Sequence, residues 1–483
     1  MTMPDYKWRP IDDLPENWSS ISSQRLESLH EIWNEQKGKL NAAVIRDFNE
    51  KLHRQWAVET GIIENIYTLD RGTTQLLIEH GINSELMPRG VLKDQSADYV
   101  INLINDQKHV IEGLFDFVSS RRTLSTSYIK EIHAGLTCHQ RIVEARDQFG
   151  NMLEIELLRG EWKREPNSPL RPDGGIHEYC PPEHVASEMD RLIEMHLQHA
   201  EMNAPPDIEA AWLHHRFTQI HPFQDGNGRV ARALATLVFL RAGWFSPVVT
   251  NDKRVDYIGA LESADSGALE KLVLFFGRLA ESTFLQALRV CDQIVVEKGD
   301  YAAAVQAVAE TFKVRKQPDG QKKVLETADL IFNQTKERLD QLRADLLRVI
   351  PNNAAIVEFD CCHRKSRWFW GQTIDIAERL GYHANLRMYY KWAGLTLKNA
   401  SPADSETRIV ISFYPVGVRF DGLACVSAFI FEKNPAGITA PRPLSDDIFV
   451  FTYKDSFESL SEKFEKWISE VIISGLNEWR GRI

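Results

Sequence analysis

Twelve consecutive residues, His221-Pro222-Phe223-Gln224-Asp225-Gly226-Asn227-Gly228-Arg229-Val230-Ala231-Arg232, gather a base, a hard oxygen ligand, two glycines, an amide and two guanidinium groups. Each type suits one task in handling a polyphosphate. A neutral imidazole at His221 can accept a proton from a hydroxyl. The Asp225 carboxylate suits Mg2+, which bridges phosphate oxygens. Gly226-Asn227-Gly228 allows close backbone approach, and its N–H groups at the start of a helix form an anion nest. The Asn227 side-chain amide can donate to a phosphate oxygen. Arg229 and Arg232 are three apart and share a helix face. Two cations there add to the positive end of the helix dipole, an arrangement that makes sense when a polyphosphate neutralises both. A lone histidine is more often structural, and Gly-Asn-Gly alone is usually a turn. The density of the run argues for chemistry.

Helices must carry this run. Phe217, Ile220 and Phe223 can anchor it to a core. Asp207 reads as the cap of a helix through Ile220, with Ile208, Ala211, Trp212 and Leu213 apolar. Val230 to Leu240 reads as a second, largely buried helix. Upstream, residues 23–86, 98–118 and 125–136 show helical periodicity, and Pro181-Pro182 opens a helix to about Ala200. Between them, Asp147 to Asn151 is a turn, and Met152 to Leu158 is strand-like. Gly160 to Tyr179, rich in Pro and Gly, reads as an ordered surface hairpin or loop. Helical pattern returns up to about Leu285. Farther on, Leu339, Leu342, Leu346 and Val349 mark a helix ending at Pro351. Strands are expected at Ala355–Phe359, Leu395–Lys398, Arg408–Tyr414, Leu423–Phe431 and Ile448–Tyr453, then an amphipathic helix from Phe457 to Val471. The expected fold is mainly α with a small β-hairpin flap, plus a C-terminal α+β domain with an antiparallel sheet. The expected divisions are a helical region at 1–122, a catalytic domain at 123–285 and an accessory domain of unread role at 300–483.

The length of 483 residues allows two or three domains, and 43 % apolar with 26 % charged residues is ordinary for a globular chain. A net charge of −11 argues against nucleic acid as the main partner. Six cysteines are scattered without a CxxC pair. Cys361-Cys362-His363 hints at a metal but lacks a second half, so structural thiols are expected. The polar start, Met1 to Pro15, has no signal-peptide character. No apolar run suits a bilayer. A cytoplasmic protein without a membrane partner is the expectation.

The run resembles the signature of the Fic family, HxFx[DE]GNGRxxR, at every fixed position. The likeness extends over roughly residues 60 to 285. It implies an all-helical Fic core and a protein adenylyltransferase, which moves AMP from ATP to a Ser, Thr or Tyr hydroxyl of a target protein and releases pyrophosphate. By resemblance, His221 is the base and Asp225 the Mg2+ ligand. Gly226, Asn227 and Gly228 cradle the α- and β-phosphates, with Val230 and Ala231 in the same nucleotide-binding helix start. Arg229 and Arg232 hold the β- and γ-phosphates. Relatives that phosphorylate tend to carry lysine at the position of Gly228; this chain keeps glycine. Gly160 to Pro169 is similar to the family flap, which clamps a target by strand addition, with Asn167, Ser168 and Pro169 as target contacts. Tyr257 and Asp265 match the adenosine-pocket segment. An asparagine is common at Asp265, which leaves that contact open, as it leaves a core role for Tyr257.

Thr60-Gly-Ile-Ile-Glu64-Asn65 resembles the family inhibitory motif, [ST]xxxE[GN], placed ahead of the catalytic domain. Thr60 and Glu64 are one helical turn apart. On that likeness Glu64 pairs with Arg232 and holds transfer off. Removal of AMP by the same site, a nucleotide-responsive binding role, self-modification and homodimer formation stay open.

Overall fold

The structure is a computed structural model. It describes residues 6–15, 18, 21, 24–38, 40, 42–87, 95–146, 152–169, 177–297, 318–350, 355–361, 366–380, 383–399, 406–416, 422–434, 437–445, 448–453 and 455–481. The chain divides into two compact units, one of Met1–Ser23 and Asn41–Thr283, the other of Gln24–Leu40 and Phe284–Ile483. Helix α1 (Gln24–Lys37) therefore belongs to the second unit.

The first unit is helical: α2 (Ala42–Ile63), α3 (Arg71–His80), α4 (Ala97–Ser119), α5 (Thr126–Leu136), α6 (Pro182–Glu201), α7 (Pro206–Ile220), α8 (Asn227–Arg241), α9 (Arg254–Asp265) and the start of α10 (Glu270–Glu297). Local signals set the boundaries. Ser96 and Ser125 cap α4 and α5 by accepting from the N–H groups of Tyr99 and Tyr128. The sequence reading puts Asp207 at the cap of α7. The helix instead starts one residue earlier, at Pro206, with Pro205 at the cap position. Proline at the first helical position has its φ preset and loses no hydrogen bond, so Asp207 lies inside the first turn. An antiparallel hairpin, β1 (Ile142–Arg146) with β2 (Met152–Glu156), is the β element of this unit. Its second strand matches the strand-like reading, and residues 147–151 lie outside the described residues.

Helices α7 and α8 form the centre. They pack on each other; α6 packs on α7, and α4 and α5 pack on α8. Ile208, Ala211, Trp212 and Phe217 of α7 and Val230, Leu234, Leu237 and Phe239 of α8 are buried. Full burial of each large apolar side chain contributes about 1.5–3 kcal/mol. The loop between these helices, residues 221–226, is thus held at both ends by buried helices.

The second unit carries a seven-stranded antiparallel sheet: β3 (Ala355–Cys361), β4 (Lys391–Asn399), β5 (Glu406–Pro415), β6 (Leu423–Asn434), β7 (Gly437–Ile438), β8 (Arg442–Pro443) and β9 (Phe449–Thr452). The order is β3-β4-β5-β6-β7, with β8 and β9 also paired to β6. Alternation assigns the faces. Ile409, Ile411 and Phe413 meet Ile331 and Leu339 of α11 (Pro318–Val349) and Phe464 and Ile468 of α13 (Phe457–Arg480). Val410, Phe429 and Phe431 meet Phe369 and Ile376 of α12 (Ser366–Arg379). All five expected strands are present, most of them longer than read. Helix α12 has no counterpart in the sequence reading. Cys362 and His363 lie outside the described residues. Among the described residues, no helix is long and apolar enough to cross a membrane.

Candidate active site

Helix α7 ends at His221, which takes the left-handed conformation (φ 52°, ψ 57°) and donates its N–H to Phe217 O. A non-glycine residue there stores about 1–3 kcal/mol of strain. That turn swings the imidazole out of the helix line. Its Nδ1 lies 3.1 Å from Thr218 O. A carbonyl only accepts, so Nδ1 carries the proton and Nε2 keeps its lone pair. One ring face lies flat on Tyr179, with centroids 3.7 Å apart and planes 5° apart. Burial first, and then the Lys163 ammonium, push the His221 pKa down to about 3.

The rest of the loop is pinned atom by atom. Phe223 N–H donates to Asn227 Oδ1 at 2.9 Å, and Asn227 Nδ2 donates back to Phe223 O at 2.7 Å. Asn167 Nδ2 also donates to Phe223 O, at 2.7 Å, while Lys163 N–H donates to Pro222 O at 2.8 Å. From α5, His133 stacks on Phe223 at 3.7 Å. Its Nδ1 accepts from Gly160 N–H, so its Nε2–H donates to Asp225 O at 3.0 Å. Burial drives the His133 pKa down to about 4, which keeps that neutral tautomer.

Asp225 is partly exposed, at 37 % of its side chain. Gln140 Nε2 donates to its Oδ2 at 2.6 Å. Burial alone would raise its pKa, but Arg229, Gln140 and the Gly226 N–H together hold it below the usual carboxylate range. Gly226 (φ 79°) caps α8 in a conformation that favours glycine. Gly228 follows within the first turn. A Cβ there would overlap Glu64 Oε1, so a bare backbone at 228 is what lets Glu64 in.

Arg232 is buried, and Thr60 of α2 and Glu64 just past its end engage all three of its nitrogens. Nε donates to Thr60 Oγ1 at 2.6 Å, NH1 to Glu64 Oε1 at 2.7 Å and NH2 to Thr60 O at 3.0 Å. Burial opposes the charge most, yet Glu64 and Tyr257 together outweigh it and hold the Arg232 pKa above its ordinary value. Asn65 follows α2 with φ 54°.

The other expected site residues have the following surroundings. The Asn227 amide is engaged on Phe223, so this side chain braces the loop; an anion would meet its backbone N–H. Arg229 donates to Leu136 O and Gln140 Oε1, and its NH2 lies 3.7 Å from Asp225 Oδ2. Tyr257 is buried, its hydroxyl 2.9 Å from His214 Nε2, so its ring has no open face for a base. Asp265 accepts from His215 Nε2 at 3.0 Å. In the flap, Ser168 Oγ accepts from Tyr179 N–H and Pro169 O from His177 N–H. Val230 and Ala231 are fully buried.

Residues 123–239 match the Fic/DOC family. The chain carries a Fic domain. Over 285 residues the chain is 22 % identical to protein adenylyltransferase fic-1 of Caenorhabditis elegans, covering 58 % of this chain and 51 % of that one. Over 88 residues it is 39 % identical to a fido domain-containing protein of Dictyostelium discoideum, covering 18 % and 62 % of the two chains. A solved Fic domain-containing signaling protein from Bacteroides thetaiotaomicron is similar with a TM-score of 0.45 at 22 % identity, covering 56 % of this chain and 97 % of that one. The chain spans about half the length of the curated nematode relatives it matches, 51 % and 47 %.

Sequence reasoning missed four residues that hold the site of the Fic domain: His133, Gln140, Lys163 and Tyr179. None stands in the twelve-residue run. It also missed an N-terminal strap. Asp12 O accepts from Trp212 Nε1 and Arg216 Nε, and Asp13 pairs with His199 at 2.7 Å. Polar positions that recur on an otherwise buried α7 were the available signal. Among the described residues, Asp106, Cys138 and His139 have metal-ligand spacing. Both Asp106 oxygens already accept from His139, one from its backbone N–H and one from Nδ1, which fixes the loop that delivers Gln140.

Proposed function

We propose that the chain is an ATP-dependent protein adenylyltransferase that rests in a self-inhibited state. The observation that carries this reading is the Arg232 guanidinium, held on all three nitrogens by Thr60 and Glu64 at the head of α8. An arginine buried beside an anion nest is suited to a terminal phosphate. Here an internal carboxylate occupies it.

In the working state the target hydroxyl attacks the α-phosphorus of ATP and pyrophosphate leaves. His221 Nε2 takes the hydroxyl proton, and its Nδ1–H stays on Thr218 O. Backbone N–H groups of Asn227 and Gly228 face the phosphates at the positive end of α8. Arg232, released from Glu64, binds the leaving phosphates. Such a reaction asks for alignment, a base and charge neutralisation. The site suits Mg2+: the Asp225 carboxylate is ionised, partly exposed and fixed through one oxygen. Asp225 would hold the ion, which would neutralise charge on the phosphates.

The relatives named adenylyltransferases support the AMP-transfer reading. The test is transfer of label from α-32P-ATP by wild type and Glu64→Gly. Strong labelling of protein by the variant, with little by wild type, is expected. No label from either protein, despite ATP binding, would favour a nucleotide-responsive binding role.

A further inference from the structure

Residues outside the twelve-residue run hold the His221 ring. Its only polar restraint among the described residues is the bond from Nδ1 to Thr218 O. One hydrogen bond leaves the imidazole free to rock about its own axis, which moves Nε2 through an arc. Tyr179 blocks that motion. Its ring lies parallel to the imidazole at 3.7 Å, within 5°. Face-to-face contact fixes the plane of the imidazole but leaves its edge, where Nε2 sits, uncovered.

The Tyr179 ring is itself anchored. Its N–H donates to Ser168 Oγ at 3.1 Å. Lys163, buried at 3 % exposure, places its ammonium 5.9 Å from the ring centroid. That ammonium donates to Asn167 Oδ1 at 2.7 Å, and Asn167 in turn holds Phe223 O. Next in sequence, Cys180 is buried and Pro181 caps α6. The platform is therefore fastened to the same loop that carries the base. His177 lies 4.8 Å from the Tyr179 ring at a tilt of 58° and stacks on Tyr6 at 4.4 Å.

We propose that Tyr179 is a positioning residue for His221, an aromatic platform that holds the imidazole plane and leaves Nε2 aimed at the substrate hydroxyl. The proposal rests on the reading of His221 as the base. Its physical distinction is the absence of charge. An anionic orienter on the second nitrogen would strengthen the imidazolium and raise its pKa. A carbonyl and a ring face orient the imidazole and leave it neutral, in keeping with its low pKa.

The test uses the full chain with Glu64→Gly, carrying Tyr179→Phe, Tyr179→Leu or Tyr179→Met in addition. Phenylalanine keeps the ring face, while leucine and methionine fill the space without one. Two readouts are taken on each folded variant: kcat and KM for ATP in label transfer, and the 15N signals of the His221 imidazole, assigned by their loss in His221→Asn. Leucine or methionine should lower kcat about tenfold or more with KM unchanged. Either should also move the two ring nitrogens toward the average of both tautomers. Phenylalanine should restore the parental values in both. Unchanged kcat and unchanged ring signals in the leucine or methionine chain would overturn the proposal. So would an equal loss in the phenylalanine chain, which would assign the effect to the hydroxyl. If the Glu64→Gly chain transfers no AMP, the adenylyltransferase reading fails, and the imidazole signals still decide for or against the platform.

Discussion

Glu64 Oε1 accepts a hydrogen bond from Arg232 NH1 at 2.7 Å, across 168 residues of sequence. The same guanidinium takes two more partners from Thr60. These three bonds join the end of α2 to the start of α8, where the anion nest lies. Three of the five N–H donors of that guanidinium are engaged in this way. Release of Glu64 alone frees NH1, and Thr60 keeps the arginine in place.

Glu64→Gly is therefore expected to raise AMP labelling by tenfold or more, while Thr60→Ala lowers ATP affinity through a loosened Arg232. Label incorporation and ATP titration check the two together. Equal labelling by wild type and Glu64→Gly would remove the brake from the account.

His221→Asn is expected to reduce label transfer by about 100- to 10,000-fold, the range for loss of a positioned general base. Asparagine is preferred over alanine because it tolerates the left-handed conformation that His221 adopts. The acid side of the pH–rate profile follows from the depressed pKa. A base with a pKa of about 3 stays unprotonated far below the ordinary histidine value of 6.5. Transfer by Glu64→Gly should thus stay level from pH 8 down to about pH 5. A limb centred near the ordinary histidine value would contradict the assignment.

Asn227→Ala is expected to destabilise the first unit. It leaves buried Phe223 N–H without its acceptor, and such an unsatisfied group costs about 1–3 kcal/mol. Asn227→Asp keeps an acceptor for Phe223 N–H but sets a carboxylate against Phe223 O, so it should rescue little. Urea denaturation of the three proteins measures this. Full stability of Asn227→Ala would mean that the side chain does not brace the loop.

Stability should fall as the pH drops below about 6. His53 and His133 are buried, and burial lowers each from 6.5 to about 4. A lowered folded pKa means that the unfolded chain binds more protons between those values, so stability is complete above 6.5 and is lost as the pH falls. Each group contributes a slope of about 1.4 kcal/mol per pH unit in that window. His53 Nε2 is buried without a hydrogen-bond partner. His53→Leu should flatten the slope of stability between pH 6 and pH 4 by about one proton, read from urea midpoints. An unaltered slope would show that His53 is already charged in the folded chain.

Local order in the sequence was enough to place the chemistry and most of the elements. Residues 221–232 carry an imidazole, a carboxylate and a Gly-Asn-Gly segment whatever surrounds them. Paired prolines, helical periodicity and alternating apolar residues depend on neighbours within a few positions, so the helices around the run and the five longer strands were legible. The tertiary structure decided which of those groups remain available. Asn227 and Arg229 belong to the run by type, but packing turns both toward backbone and Gln140, and they become braces. Arg232, one turn beyond Arg229, meets Thr60 and Glu64 instead. Helix α1 has ordinary helical periodicity, which says nothing of the unit it joins. Tyr179 and Lys163 carry no local signature, since a stacked ring and a buried ammonium are defined only by what lies against them. Periodicity and capping are short-range properties of one segment, whereas the partner of a buried polar group is set by chain that arrives from far away.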